Sequence, residues 1–192
     1  ISAHWLSNGT KVTAMDFPPT IHDFGGFPKA LFEVQYPAPG SIQVANETIS
    51  LLHSIHAEPD HDWGLDHGAW TVVRHMYPEA DVPVLQLSID YSKGPQYHYD
   101  LAKDLYSLRK KGVLIIGSGN MVHNLRMVAW DRLNEPGFGF DWAYELNDKF
   151  KQLIADGNHQ ALINFSTISP DIPKAIPTSE LYLPLLYNLG LQ

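Results

Sequence analysis

The run Val113-Leu114-Ile115-Ile116, broken at once by Gly117-Ser118-Gly119, restricts the fold more than any other feature of the chain. An apolar run this short, bounded by glycine, reads as a buried strand entering a functional loop. Val82 to Ile89 alternates and is rich in Val and Leu, which marks a second strand. Between them, Tyr97, Leu101, Leu105 and Leu108 recur at helical spacing before Gly112, so a helix links the two. The expectation is an α/β fold: a single domain over residues 1–192 with a central mixed β-sheet flanked by helices. Val82 to Ile89 and Val113 to Ile116 are expected to be buried neighbours in that sheet. Further helices are expected from Ser41 to His56, Gly68 to Tyr77, Phe140 to Ala155 and Ser179 to Leu189. In such sheets, ligands sit beyond the carboxyl ends of the strands. The segments Ile1 to His4 and Val113 to Gly119 would both deliver loops to that edge.

Composition narrows the chemistry. A net charge of -8 disfavours nucleic acid or an anionic membrane surface as partner. No apolar run approaches the roughly 20 residues of a membrane helix, and no stretch reads as a secretory signal. The absence of cysteine excludes thiolate metal sites, disulfides and cysteine nucleophiles, and it fits a cytoplasmic setting. Ten histidines are the compositional oddity, so any metal would be held by imidazole and carboxylate, a donor set that suits iron or zinc. No phosphate loop, GxSxG elbow or HExxH pair is present.

Three histidines stand where chemistry is expected. His123 follows the glycine-rich turn in Gly117 to Arg126, where tight backbone lets a side chain emerge at the sheet edge. The same stretch reads equally as a helix-start loop with a structural histidine. His67 lies in Asp66-His67-Gly68-Ala69-Trp70, beside a carboxylate of the kind that can orient an imidazole. His4 ends the first expected strand, although a lone histidine there is more often structural. His22 lies in a loop able to cover a pocket and is assigned a structural role. His53, His56, His61, His75, His98 and His159 read as solvated or packing residues.

Five motifs occur in order: Ser2-Ala3-His4-Trp5, Ile21 to Pro28, Trp63 to Trp70, Gly119 to Arg126, and Tyr182 to Tyr187. Together they resemble the class III extradiol ring-cleaving dioxygenases of the 4,5-DOPA dioxygenase type, and the likeness covers almost the whole chain. The resemblance implies one mononuclear Fe(II) or Zn(II) ion per chain, O2 as co-substrate, and an L-DOPA-like catechol opened at the 4,5 position. It implies His4 and His123 at the metal, with His123 either a ligand or the acid–base group, and His67 facing substrate and oxygen. His123 and His67 are thus the expected catalytic residues. The family pattern also carries a preceding strand with a His-Gly-Ser-Pro-like motif and a continuation past Gln192. Residues 1–192 are therefore expected to form the catalytic domain without those parts.

One departure falls inside the chain. In Thr178-Ser179-Glu180-Leu181-Tyr182 the resemblance calls for histidine where Leu181 stands. Leucine cannot bind metal, and on a helix Glu180 would point about 100° away. The alternative expectation is a non-catalytic homologue that binds an aromatic ligand or a protein partner. A zinc hydrolase would use the same histidines, but no residue specifically supports it. Self-association is compatible with either reading.

Overall fold

The computed structural model describes residues 1–192 and sets four short strands among nine helices. The strands are β1 (Leu6–Ser7), β2 (Thr10–Thr13), β3 (Ala57–Asp60) and β4 (Ile89–Asp90). The helices of the first half are α1 (Lys29–Phe32), α2 (Ile42–Leu51), α3 (His67–Met76), α4 (Pro95–Asp104) and α5 (Tyr106–Arg109). Those of the second half are α6 (Asp141–Ala155), α7 (His159–Ile163), α8 (Ile172–Ala175) and α9 (Leu183–Gly190). No helix is long and apolar enough to cross a membrane.

β1 runs parallel to β4, with Leu6 opposite Ile89, and β2 runs parallel to β3, with Thr10 opposite Ala57. An antiparallel bridge between Val12 and Leu87 joins the two pairs. Gly9, at φ +88°, makes the turn between β1 and β2 in a conformation that other residues rarely adopt. Upstream of β1, Ser2 pairs in parallel with Ser118, and the Ala3 N–H donates to the Ser118 carbonyl at 3.0 Å. The β-structure is therefore mixed, and helices flank it.

The two expected strands are not neighbours. Residues 2–7 lie between them, paired with Ser118 on one side and with Ile89 and Asp90 on the other. Only the end of Val82 to Ile89 is paired, because Pro83 has no N–H and the Gln86 N–H goes to the Thr13 hydroxyl at 2.8 Å. Val113 to Ile116 is extended but is no strand: the N–H groups of Leu114 and Ile115 find no protein acceptor, and Leu114 is 58% exposed. Between these segments lies an apolar cavity of about 430 Å³, lined by Val12, Val84, Leu85, Leu105 and Ile115 among others.

The helices follow local sequence more closely. Ser41 caps α2 by accepting the Val44 N–H at 3.2 Å, and Asp66 caps α3 by accepting the Ala69 N–H at 3.0 Å. α2 ends at Leu51 rather than His56 because the chain must turn to bring Ala57–Asp60 alongside β2. α9 begins at Leu183, later than the apolar spacing predicts, since Pro184 is tolerated only in a first turn. The short helices α1, α7 and α8 carry too few residues for periodicity to reveal them.

α4 packs on α9, and the main core gathers Ile89, Leu101, Leu105, Phe150, Leu186 and Tyr187. A smaller cluster of Tyr36, Ala38, Leu65, Trp70 and Val73 lies against α3. His98 is fully buried in the main core, its Nδ1 2.9 Å from the Tyr187 hydroxyl and its Nε2 without a partner. Burial pulls its pKa down to about 4, although the Lys93 backbone and then Asp90 oppose this. The native ring is thus neutral, while the unfolded one takes up a proton below its ordinary value of 6.5. Its contribution to stability is complete above about pH 6.5 and is lost as pH falls toward about 4, by about 3 kcal/mol in all. Denaturant unfolding across that window should show a stability slope that is clearly flatter in His98→Gln.

Candidate functional site

The site is assembled where the first residues of the chain meet the N-terminus of α3. Asp66 is fully buried there and accepts from the Ser2 hydroxyl at 2.6 Å, the Ala69 N–H at 3.0 Å and the Gln86 amide at 3.0 Å. The Trp63 indole N–H approaches the same carboxylate at 3.4 Å. Asp66 thus fixes the start of α3 against Ser2, and His4 follows two residues later. The Ser118 hydroxyl donates to the Gly68 carbonyl at 2.7 Å, which ties the glycine-rich loop to the same helix end.

His4 and His67 converge, their ring centroids 3.9 Å apart at an interplanar angle of 44°. The carboxylate that accompanies them is not the adjacent Asp66 but Asp23. One Asp23 oxygen accepts the His67 backbone N–H at 2.8 Å and lies 2.9 Å from His67 Nδ1, and the other lies 3.8 Å from His4 Nδ1. The approach of the His67 ring is off the straight line of a strong hydrogen bond, because the same oxygen already holds the backbone N–H. His4, Asp23 and His67 each offer one ligand atom, and these atoms all lie within 4.8 Å of one another.

Electrostatics favour a metal-ready state. Burial lowers the His4 pKa, and His67 lowers it further against the pull of Asp66 and Asp23, so the ring is held neutral with a lone pair available. Burial alone would raise the Asp23 carboxyl. The His67 backbone and ring outweigh it and hold Asp23 below the usual carboxylate range. Two imidazoles and a carboxylate suit a divalent first-row ion.

His123 stands apart from this group. Its backbone N–H donates to the Ala175 carbonyl at 2.8 Å, and Asn124 reaches the Lys174 carbonyl at 2.8 Å, so the loop is anchored on α8. His123 still acts on His4, lowering its pKa through charge, but it does not join the close group of His4, Asp23 and His67. Leu181 lies at the other side of that loop, with its carbonyl accepting the Asn120 N–H at 2.6 Å. Glu180 turns elsewhere: its carboxylate accepts the Thr178 hydroxyl at 2.6 Å and lines a separate cleft with Leu6, Ile89 and Tyr91.

An aromatic wall borders the group. Phe24 meets His67 edge-on at 5.4 Å and packs against Phe32 at 4.8 Å and Trp70 at 6.3 Å. The loop that carries Asp23 and Phe24 is pinned on both sides. The Ile21 N–H donates to the Leu65 carbonyl at 2.7 Å, the Trp70 indole to the Ile21 carbonyl at 2.9 Å, and His22 Nε2 pairs with the Val34 carbonyl at 2.9 Å. His22 is structural here, as its sequence context indicates. Asp23 was the residue that sequence reasoning did not single out; its only signal is its place in the Ile21 to Pro28 motif.

The α/β scaffold thus gathers two imidazoles and a carboxylate beside an aromatic wall, a donor set able to hold a divalent ion. A family model described as the catalytic LigB subunit of aromatic ring-opening dioxygenase matches residues 1–191, and the chain belongs to that family. It is therefore a dioxygenase by family, and membership implies a metal cofactor. The chain is 46% identical to the 4,5-DOPA dioxygenase extradiol of Escherichia coli K12, a match covering 99% of this chain and 70% of that protein. It is 36% identical to the enzyme of the same name from Mirabilis jalapa, again over 99% and 70%. The crystal structure of an uncharacterised Escherichia coli K12 protein superimposes with a TM-score of 0.79 at 38% identity, covering 99% of this chain and 72% of that one.

Gly68 shows how closely the site is built. A Cβ there would stand 2.5 Å from the Ser2 hydroxyl and 2.7 Å from the His4 ring. Ser2 is held by Asp66, so the His4 ring would have to give way. Gly68→Ala should cost about 1–3 kcal/mol through overpacking, only partly offset by about 1 kcal/mol of helix propensity. A lowered melting temperature together with a shifted His4 resonance in the NMR spectrum would verify the contact.

Proposed function

We propose that this chain carries out extradiol cleavage of a catechol, opening an L-DOPA-like ring at the 4,5 position with O2, at one Fe(II) or Zn(II) ion. The observation that carries the reading is the convergence of His4, Asp23 and His67 beside the Phe24–Phe32–Trp70 wall. His4 would be a metal ligand, with His123 at the metal either as a further ligand or as the acid–base group. When bound, the ion would supply the charge that acidifies both catechol hydroxyls and brings ring and oxygen together.

The chain's own residues supply the rest. Burial keeps His4 neutral, the form in which an imidazole binds metal. Phe24, packed against Phe32 and Trp70, brings apolar ring surface beside His67, suited to an aromatic ligand. His67, and His123 where it is not bound to metal, can hold or move a proton near the hydroxyls. A cytoplasmic setting suits a chain without cysteine.

A second reading has one observation in its favour. Leu181, at the loop that leads to His123, provides no donor where the family pattern has histidine. A non-catalytic relative would bind an aromatic ligand and hold metal weakly. Leu181→His should tighten metal binding by at least the 10–100-fold associated with outer partners alone. The test is metal content by elemental analysis, together with an absorbance assay for a yellow ring-opened product from L-DOPA with Fe(II) or Zn(II) supplied. Product from the unmodified chain supports the dioxygenase. Metal-loaded chains of both kinds that form no product support the binding relative.

A further inference from the structure

We propose that Asp23 is a positioning residue that fixes His67 in its Nδ1–H tautomer, leaving Nε2 as the one lone-pair nitrogen of that ring. His67 Nδ1 is sealed from water and has no well-aligned hydrogen-bond partner, and an Asp23 oxygen stands 2.9 Å from it. A bare ring nitrogen and a carboxylate oxygen at that distance would set two lone pairs against each other, so the proton resides on Nδ1. The same carboxylate oxygen accepts the His67 backbone N–H at 2.8 Å, so Asp23 grips both ends of one residue.

The grip is rigid because the loop under it is rigid. Thr20 bridges Leu65, the Ile21 N–H donates to the Leu65 carbonyl, and Trp70 of α3 donates back to the Ile21 carbonyl at 2.9 Å. Asp23 is therefore carried by the helix whose first residue it orients. The His67 ring lies between the His4 ring at 3.9 Å and the Phe24 ring at 5.4 Å, which confines its tilt. A neutral imidazole with a fixed tautomer offers one acceptor in one place. That acceptor can take a hydrogen bond, and then a proton, from a phenolic hydroxyl of a ring lying on Phe24. An imidazole free to exchange tautomers would present a donor there for part of the time. What the free nitrogen acts on rests on the ring-opening reading above, whereas the tautomer itself does not.

Imidazole 15N–1H correlation spectra of the labelled protein at pH about 8.5, roughly two units above the ordinary histidine pKa, need neither metal nor substrate. His67 signals, assigned by their loss in His67→Gln, should show a protonated Nδ1 and an unprotonated Nε2. Asp23→Ala should reverse this pattern. Asp23→Asn should retain it, because the backbone N–H of His67 keeps the amide oxygen turned toward the ring. In metal-loaded enzyme given L-DOPA, Asp23→Ala should lower kcat about 10–100-fold with little change in KM, and Asp23→Asn should recover most of that loss. An Nε2–H tautomer in the unmodified protein overturns the proposal, and that spectrum decides the matter even where Asp23→Ala does not fold. An unaltered tautomer in folded Asp23→Ala, or a reversed tautomer with unchanged kcat, overturns it as well. Absence of ring cleavage in the unmodified enzyme beside the expected tautomer counts against the ring-opening reading alone.

Discussion

The carboxylate of Asp66 is the interaction on which the rest of the site depends. A buried carboxylate without partners costs several kcal/mol, so its position is defined by where donors can reach it. Asp66 draws those donors from three parts of the chain: Ser2 from the first residues, Ala69 from α3, and Gln86 from the segment leading to β4. Moving any one of them would leave an acceptor unsatisfied in the interior. The start of α3 is thereby locked to the turn that carries His4 and to the segment leading into β4. Gly68 completes the contact, since only a residue without a side chain lets Ser2 and His4 come so close to the helix.

The carboxylates divide their work along the same helix end. Asp66 is the N-cap, and Asp23 takes the N–H of His67, the first residue of the helix. Orphan donors at a helix start favour negative charge, which helps to keep Asp23 ionised despite its partial burial. Both carboxylates pull His4 toward its charged form, while burial and the neighbouring His67 oppose them. The outcome is a neutral imidazole next to an ionised carboxylate, the protonation states in which both can bind a divalent cation.

How much of this was legible in sequence depends on the distance over which each feature is decided. α3, α4 with α5, and α6 follow their apolar periodicity, and α3 its Asp66 cap as well, because a helix satisfies its own backbone. The strands were over-read for the opposite reason. Val113 to Ile116 is apolar as a buried strand would be, but a strand also needs a partner, and the neighbour it meets is residues 1–3, at its glycine end only. In the site, His4 and His67 were marked by separate motifs, and the fold brings them together. Asp23 was hidden because its partner lies 44 positions away, while Asp66, next to His67 in sequence, faces the interior instead.

Leu181 is best weighed by separating charge from coordination. Replacing a neutral imidazole with leucine leaves the site's net charge untouched, so the field around His4, Asp23 and His67 that draws in a dication is the same with either residue. If position 181 supplies a ligand, as the resemblance implies, what leucine removes is one bond and one angular restraint, and a metal's coordination geometry is set by such restraints. Asp23 is a carboxylate near enough to His4 to compensate, with its second oxygen 3.8 Å from His4 Nδ1. It can do so without releasing His67, because the two contacts use separate oxygens of the carboxylate. Asp23 can therefore orient the His67 imidazole through one oxygen while its other oxygen stays on the side of His4, where an ion would be held.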